Sequence, residues 1–166
     1  MPRIHTRILL AAAFGLGVVL PSRPADAQQV YLLTTTCSSA ASKSVPCTVE
    51  AVNVDDTTEY RHQVAGREVA YRVIEDPYVR IEGRKSPDAP WVTVKNAWID
   101  FSTNQLCFNN KAFCVVNPTF LADVKADGGR AFEGREQVGL VFNDKGRVDV
   151  ACFDNGCRRL LEAIGR

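Results

Sequence analysis

The chain has 166 residues, with 20 Lys and Arg against 19 Asp and Glu, and a formal net charge of +1. A chain so close to neutral sets up no global field to gather nucleic acid or an anionic membrane, so neither is expected as a partner. Its length suits one domain able to bury roughly two-thirds of its unfolded surface, so a hydrophobic core is within reach and the cysteines need not substitute for one.

The first segment, "MPRIHTR", is basic through Arg3 and Arg7. An uncharged apolar run from Ile8 to Leu20 follows, and then "PSRPADA", which ends in the small residues Ala25 and Ala27. This is the three-part layout of a secretory signal with an A-x-A cleavage site. The apolar run is shorter than the roughly 20 residues that a membrane span needs. Cleavage after Ala27 is expected, leaving residues 28–166 as a single disulfide-bonded β-rich domain. The leader removes Arg3, Arg7, Arg23 and Asp26, so 17 basic residues face 18 acidic ones in the remainder. No later stretch is apolar enough to span a bilayer, so no membrane insertion is expected once the leader is gone. The Ala-rich leader and the lack of a usable N-x-S/T site point to a soluble protein of the bacterial periplasm; Asn117 is followed by Pro118.

Strand patterns dominate the rest. "QVYLLTTTC" is rich in β-branched and aromatic residues. "CTVEAVNV" alternates through Val49 and Ala51 and then changes phase at Val52 and Val54, which predicts a bulge or burial on both faces. "EYRHQVAGREVAYRVIE" reads as a hairpin turning near Ala65 and Gly66. "YVRIEG" places Tyr78, Arg80 and Glu82 on one face, with Val79 and Ile81 on the other. "WVTVKN" and "AWIDFS" are strands separated by a bend at Asn96. "QLCFNNKAFCVV" forms a hairpin turning at Asn110 and Lys111. "VGLVFNDKGRVDVACF" forms another, through the tight-turn sequence "NDKG".

Two segments carry helix signals. Before "PTFLADVKADGG", Asn117 is placed to cap, Pro118 occupies the first helical position and Gly128 marks the stop. Phe120, Leu121 and Val124 would share a face. The tail "CRRLLEAIG" spaces Cys157, Leu160, Leu161 and Ile164 as an amphipathic stripe for docking on a sheet. The predicted fold is mainly β: an antiparallel barrel or sandwich with one or two short helices, including a C-terminal one.

All six cysteines, Cys37, Cys47, Cys107, Cys114, Cys152 and Cys157, follow the leader, and an even count in an exported chain reads as disulfides. Gaps of nine, six and four residues fit neither a C-x2-4-C zinc site nor a redox C-x-x-C. His62 is the sole histidine after the leader, so no metal or other cofactor is expected. Fifteen pairings are possible. The turns inside "CFNNKAFC" and "CFDNGC" favour local bridges, which leaves Cys37 to Cys47.

No catalytic residue is assigned. A Ser–His–acid triad would have to use His62, yet there is no G-x-S-x-G elbow, and "YRHQVAG" reads as a surface or half-buried strand. Glu50, Asp100 and Asp149, each in an apolar strand context, are candidates for a carboxylate pair. Aromatics interleaved with Arg suggest a binding face instead: Trp91, Tyr71, Tyr78, Arg72 and Arg80, with Asp154 and Asn155 at the "CFDNGC" turn. The leading reading is a non-enzymatic exported module that binds an envelope protein, peptide or glycan. The alternatives are a small envelope hydrolase with paired carboxylates and an inhibitor presenting a disulfide-stapled loop.

Overall fold

The computed structural model describes residues 28–39 and 43–164, so the expected signal segment lies outside the described residues. The strands are β1 (Gln28–Ser39), β2 (Val45–Val54), β3 (Thr57–Val64), β4 (Arg67–Ile74), β5 (Arg80–Arg84), β6 (Val92–Thr93), β7 (Asn96–Asp100), β8 (Gln105–Phe108), β9 (Phe113–Val116), β10 (Gln137–Phe142) and β11 (Val148–Phe153). Helix α1 (Pro118–Gly128) follows β9, a short 3-10 turn covers Gly129–Phe132, and α2 (Asn155–Ile164) ends the described chain. This is the expected antiparallel β fold with two short helices.

All the strands belong to one 11-stranded sheet in the order β11-β10-β7-β8-β9-β1-β2-β3-β4-β5-β6, curled into a half-barrel. Most neighbours are sequential hairpins. Their turns take positive φ at Ala65 (48°) and Gly66 (78°) between β3 and β4, and at Asn109, Asn110 and Lys111 (50°, 56° and 61°) between β8 and β9; Gly66 and the asparagines suit that region, whereas Ala65 and Lys111 enter it at a steric cost. In the last hairpin, the Asn143 side chain accepts the Lys145 and Arg147 amides at 2.9 and 3.1 Å. Two pairings are not local. The end of β1 joins β9 through Cys37–Val115, Ser38–Cys114 and Ser39–Phe113, and β10 joins β7 from Gln137–Asp100 to Val141–Asn96.

The phase change in β2 proves to be burial on both faces, since Val49, Ala51 and Val52 are all buried. The bulge lies instead in β1, between Gln29 and Tyr31. Both helix signals hold. Asn117 caps α1 by accepting the Phe120 amide at 3.1 Å, and Leu121 is buried with Phe120 and Val124 packed on the core. In α2, Cys157 is buried and Leu160 lines a small cleft together with Trp98 and Gly139, while the side chains of Leu161 and Ile164 lie outside what the structure describes.

Three disulfides form in the local pattern: Cys37–Cys47, Cys107–Cys114 and Cys152–Cys157. Cys107 and Cys114 face each other across the β8–β9 ladder. Gly139 makes room for the last bridge, because a Cβ there would sit 2.6 Å from the Cys152 sulfur. Among the described residues, no helix is long and apolar enough to cross a membrane.

Candidate functional site

Alternation along the strands sorts their side chains between the inside of the curl and its outside. On β3, Tyr60 and His62 point in while Glu59 and Arg61 point out; on β4, Tyr71 and Val73 point in while Arg72 points out. The inward residues do not fill the curl. They leave a cavity of about 190 Å³, lined by side chains that include Tyr60, Val73, Ile81, Ile99, Leu106 and Leu140, and by Phe120 and Val124 of α1.

Aromatic rings close one end of this cavity. Tyr71 stacks on Phe108 at 4.0 Å between centroids and on Phe113 at 5.5 Å. His62 meets Tyr71 and Phe113 edge-on at 5.8 and 5.0 Å. Each such contact adds about 0.5–1.5 kcal/mol beyond burial, so the partition is stiff. Gly83 lets the Tyr71 ring lie flat over β5, since a Cβ there would come within 2.7 Å of the ring. Sequence context predicts a surface or half-buried histidine, but His62 is only 2% exposed. Its Nδ1–H donates to the Val69 carbonyl at 3.2 Å, and burial pushes the imidazole down to about 4. It is therefore neutral at neutral pH.

The cavity opens where the two ends of the sheet approach each other. Val79, just before β5, and Val148, at the start of β11, both line it and are 56% and 48% exposed. Arg147 lies over the Tyr78 ring at 4.4 Å across this seam. The tip of the β10–β11 turn comes close as well: a Cβ on Gly146 would lie 2.9 Å from that of Arg80. The ends are joined by hydrogen bonds through the β6–β7 connection, where the Val94 amide donates to Ile81 at 2.8 Å and Lys95 accepts from Phe142 at 2.9 Å.

The outer face of β3, β4 and β5 carries a ladder of ion pairs. Glu59 meets Arg61 at 3.1 Å and Arg84 at 3.3 Å, while Glu82 meets Arg72 at 2.7 Å and Arg80 at 3.2 Å. Partial burial pulls the Glu82 carboxyl upward, but hydrogen bonds and charge from Arg72 and Arg80 outweigh it and hold the group below its usual range. Trp91 lies against this ladder, with the Arg72 and Arg84 guanidinium carbons 4.3 and 4.6 Å from its ring centre.

The residues expected to form one binding face are thus divided. Trp91, Arg72 and Arg80 share the outer face, Tyr78 stands at the seam and Tyr71 is inside. Asp154 and Asn155 lie at the β11–α2 junction. Asp154 turns back onto the sheet, accepting the Glu136 and Gln137 amides at 2.9 and 3.0 Å, with Arg135 at 3.2 Å from its other oxygen. The candidate carboxylates are not brought together either. Glu50 is on β2, and three strands separate it from Asp100 on β7. Asp149 stands on β11 near the far end of β10 from Asp100. Asp100 itself is held by Ser102, Thr103 and Gln137. Among the described residues, no cluster of three or more His, Cys, Asp or Glu is arranged to hold a metal.

Of the lining residues, Tyr71 and Arg72 are among the expected binding residues, and the others carry no signal in the sequence beyond that of general core. The usable signal was the alternation of Tyr60, His62 and Val64 against Glu59, Arg61 and Gln63, which marks one face as apolar in spite of its charged neighbours. No protein-family model matches the chain, and no curated protein or solved structure matches it.

Proposed function

We propose that this chain is an exported, non-enzymatic binding protein that carries a small apolar molecule inside the half-barrel. The observation that supports it best is the cavity itself: about 190 Å³ with an almost wholly apolar lining and a mouth flanked by exposed Val79 and Val148. An apolar cavity of about 150 Å³ stays dry and takes up benzene, so this one suits a single ring with a small substituent or a short alkyl chain. Export, with the periplasm as destination, is supported by the leader pattern and by three disulfides.

A glycan finds too few polar groups inside. An envelope protein or peptide would have to use the outer face, where Arg72, Arg80 and Arg84 are already engaged by Glu82, Glu59 and Glu68. The interior therefore has the stronger claim.

Titration with an environment-sensitive apolar fluorophore tests the reading. Saturable one-to-one binding, displaced by small aromatic hydrocarbons, is expected. Leu140→Trp, which projects an indole into the cavity, should abolish it while the far-ultraviolet circular dichroism is kept. Absence of saturable uptake by the unmodified protein would count against the proposal.

A further inference from the structure

The aromatic partition that closes the cavity has a second side. Beyond it lies an open groove of about 660 Å³, bordered by the start of β4 and by the β8–β9 turn. Tyr71 and Phe113 back onto it, and Val69, Val92 and Pro90 extend its apolar floor. Alternation places two cations over that floor. On β4, Val69 and Arg67 stand two and four residues before the inward Tyr71, so Arg67 also leaves the sheet on its inner face. On β5, Gly83 pairs with Tyr71, and Lys85 lies two residues further on the same side. Both side chains line the groove, and both residues are exposed at its rim.

The remaining cations of this wall are neutralised. Arg61, Arg72 and Arg80 stand on the outer face, 3.1, 2.7 and 3.2 Å from a carboxylate. Arg84 borders the groove, yet its guanidinium is held by Glu59 and Glu68 at 3.3 and 3.6 Å. Arg67 and Lys85 have neither an ion-pair nor a hydrogen-bond partner among the described residues. No Asp or Glu is among the residues that line the groove. Glu68, next to Arg67, turns to the opposite face and accepts from Gln63 at 2.9 Å. The near-neutral chain therefore carries a local excess of positive charge, set over an apolar surface, where it attracts an anion and repels a cation.

We infer that this groove is a second binding site, separate from the cavity, for an amphipathic organic anion: one acidic head, such as a carboxylate, on an extended apolar body. The body covers Phe113, Val69 and Val92, and the head lies at the rim between Arg67 and Lys85. An exposed rim lets the head keep part of its water, so it escapes the desolvation penalty of a buried anion. The Arg67 guanidinium supplies the planar pair of donors that matches two carboxylate oxygens. The inference stands whether or not the cavity holds a ligand.

Fluorescence titration at neutral pH and low salt, with three probes that differ only in charge, tests it: pyrenebutyrate, pyrenebutanol and pyrenebutylammonium. Four fused rings are too large for a cavity that suits one, so these probes report on the groove alone. Pyrenebutyrate should bind one-to-one and about five- to thirtyfold more tightly than pyrenebutanol, with pyrenebutylammonium the weakest. The preference should shrink as salt is raised. Arg67→Gln and Lys85→Gln should each weaken pyrenebutyrate about three- to fivefold, and the double variant should bind it no better than pyrenebutanol. Pyrenebutanol should bind all variants equally, which also shows that they are folded. Lys125→Gln removes the same charge from α1 and should leave the preference intact. Pyrenebutanol or pyrenebutylammonium binding as tightly as pyrenebutyrate overturns the inference. So does a preference that survives the double variant, or failure of all three probes. None of these outcomes bears on the cavity, which smaller ligands test.

Discussion

His62 lies between the edges of Tyr71 and Phe113 with one ring nitrogen bonded to Val69, an environment made for the neutral imidazole. The consequence is a pH-dependent stability whose sign is fixed. The folded chain resists protonation down to about pH 4, whereas the unfolded chain takes up the proton near its ordinary value of 6.5. Between these two values the unfolded state binds more protons, so the contribution is complete above 6.5 and is lost as pH falls towards 4. Its full size is about 3 kcal/mol, at 1.36 kcal/mol for each pH unit of separation. Urea unfolding at pH 7 and pH 5 should show the acidic sample less stable. His62→Phe, which keeps a ring in the partition, should flatten that part of the dependence. An equal slope in both proteins would remove His62 as its source. The local sequence "YRHQVAG" reads as a surface or half-buried position because it is a charged strand next to a turn. Only the alternation, with Tyr60 and Val64 on the same side as His62, carried the correct answer.

Hairpins and helix ends were the most legible elements, because their chemistry is local. Asn109 and Asn110 tolerate the left-handed turn that sets Cys107 opposite Cys114, and Asn117 with Pro118 starts α1 as capping rules require. What the sequence did not disclose is that Asn117 also fastens α1 to β1 through Tyr31, a partner 86 positions away. The helix supplies Phe120 and Val124 to the cavity, so this one side chain places part of the wall. Asn117→Ala should cost about 2–3 kcal/mol: a lost cap, plus a half-buried Tyr31 hydroxyl left without its partner. Tyr31→Phe alone should cost about 1 kcal/mol, and close to nothing when added to Asn117→Ala, since the bond is then already gone. Denaturant midpoints of the two single variants and the double variant decide it. Simple additivity would show that the two residues act independently.

Across the whole molecule, the three disulfides fasten neighbours only, with separations of 10, 7 and 5 residues. The curl therefore depends on the two distant pairings, β1 with β9 and β7 with β10. Neither was readable from the chain, because register between distant strands leaves no trace in turn chemistry or in the period of one strand. The expected aromatic and Arg face came apart for a local reason that the strand period does carry: Tyr71 and Arg72 are adjacent on β4, so their side chains leave opposite faces of the wall. The curl leaves a seam between its ends, and the cavity opens there. Val79 and Val148 flank the mouth, and Arg147 over Tyr78 is a latch across it. An exposed cation–π contact of this kind is worth about 0.5–1 kcal/mol, too little to set the fold but enough to bias the opening of a mouth. If a ligand leaves by this route, Arg147→Ala should raise the release rate of a bound apolar fluorophore about two- to fivefold in stopped-flow measurements. Hydrogen exchange should quicken in the β10–β11 turn, while the denaturant midpoint moves by no more than about 0.5 kcal/mol, as for a surface substitution. Release at an unchanged rate would place the exit elsewhere, and the end of the curl under α1 would then be the next segment to probe.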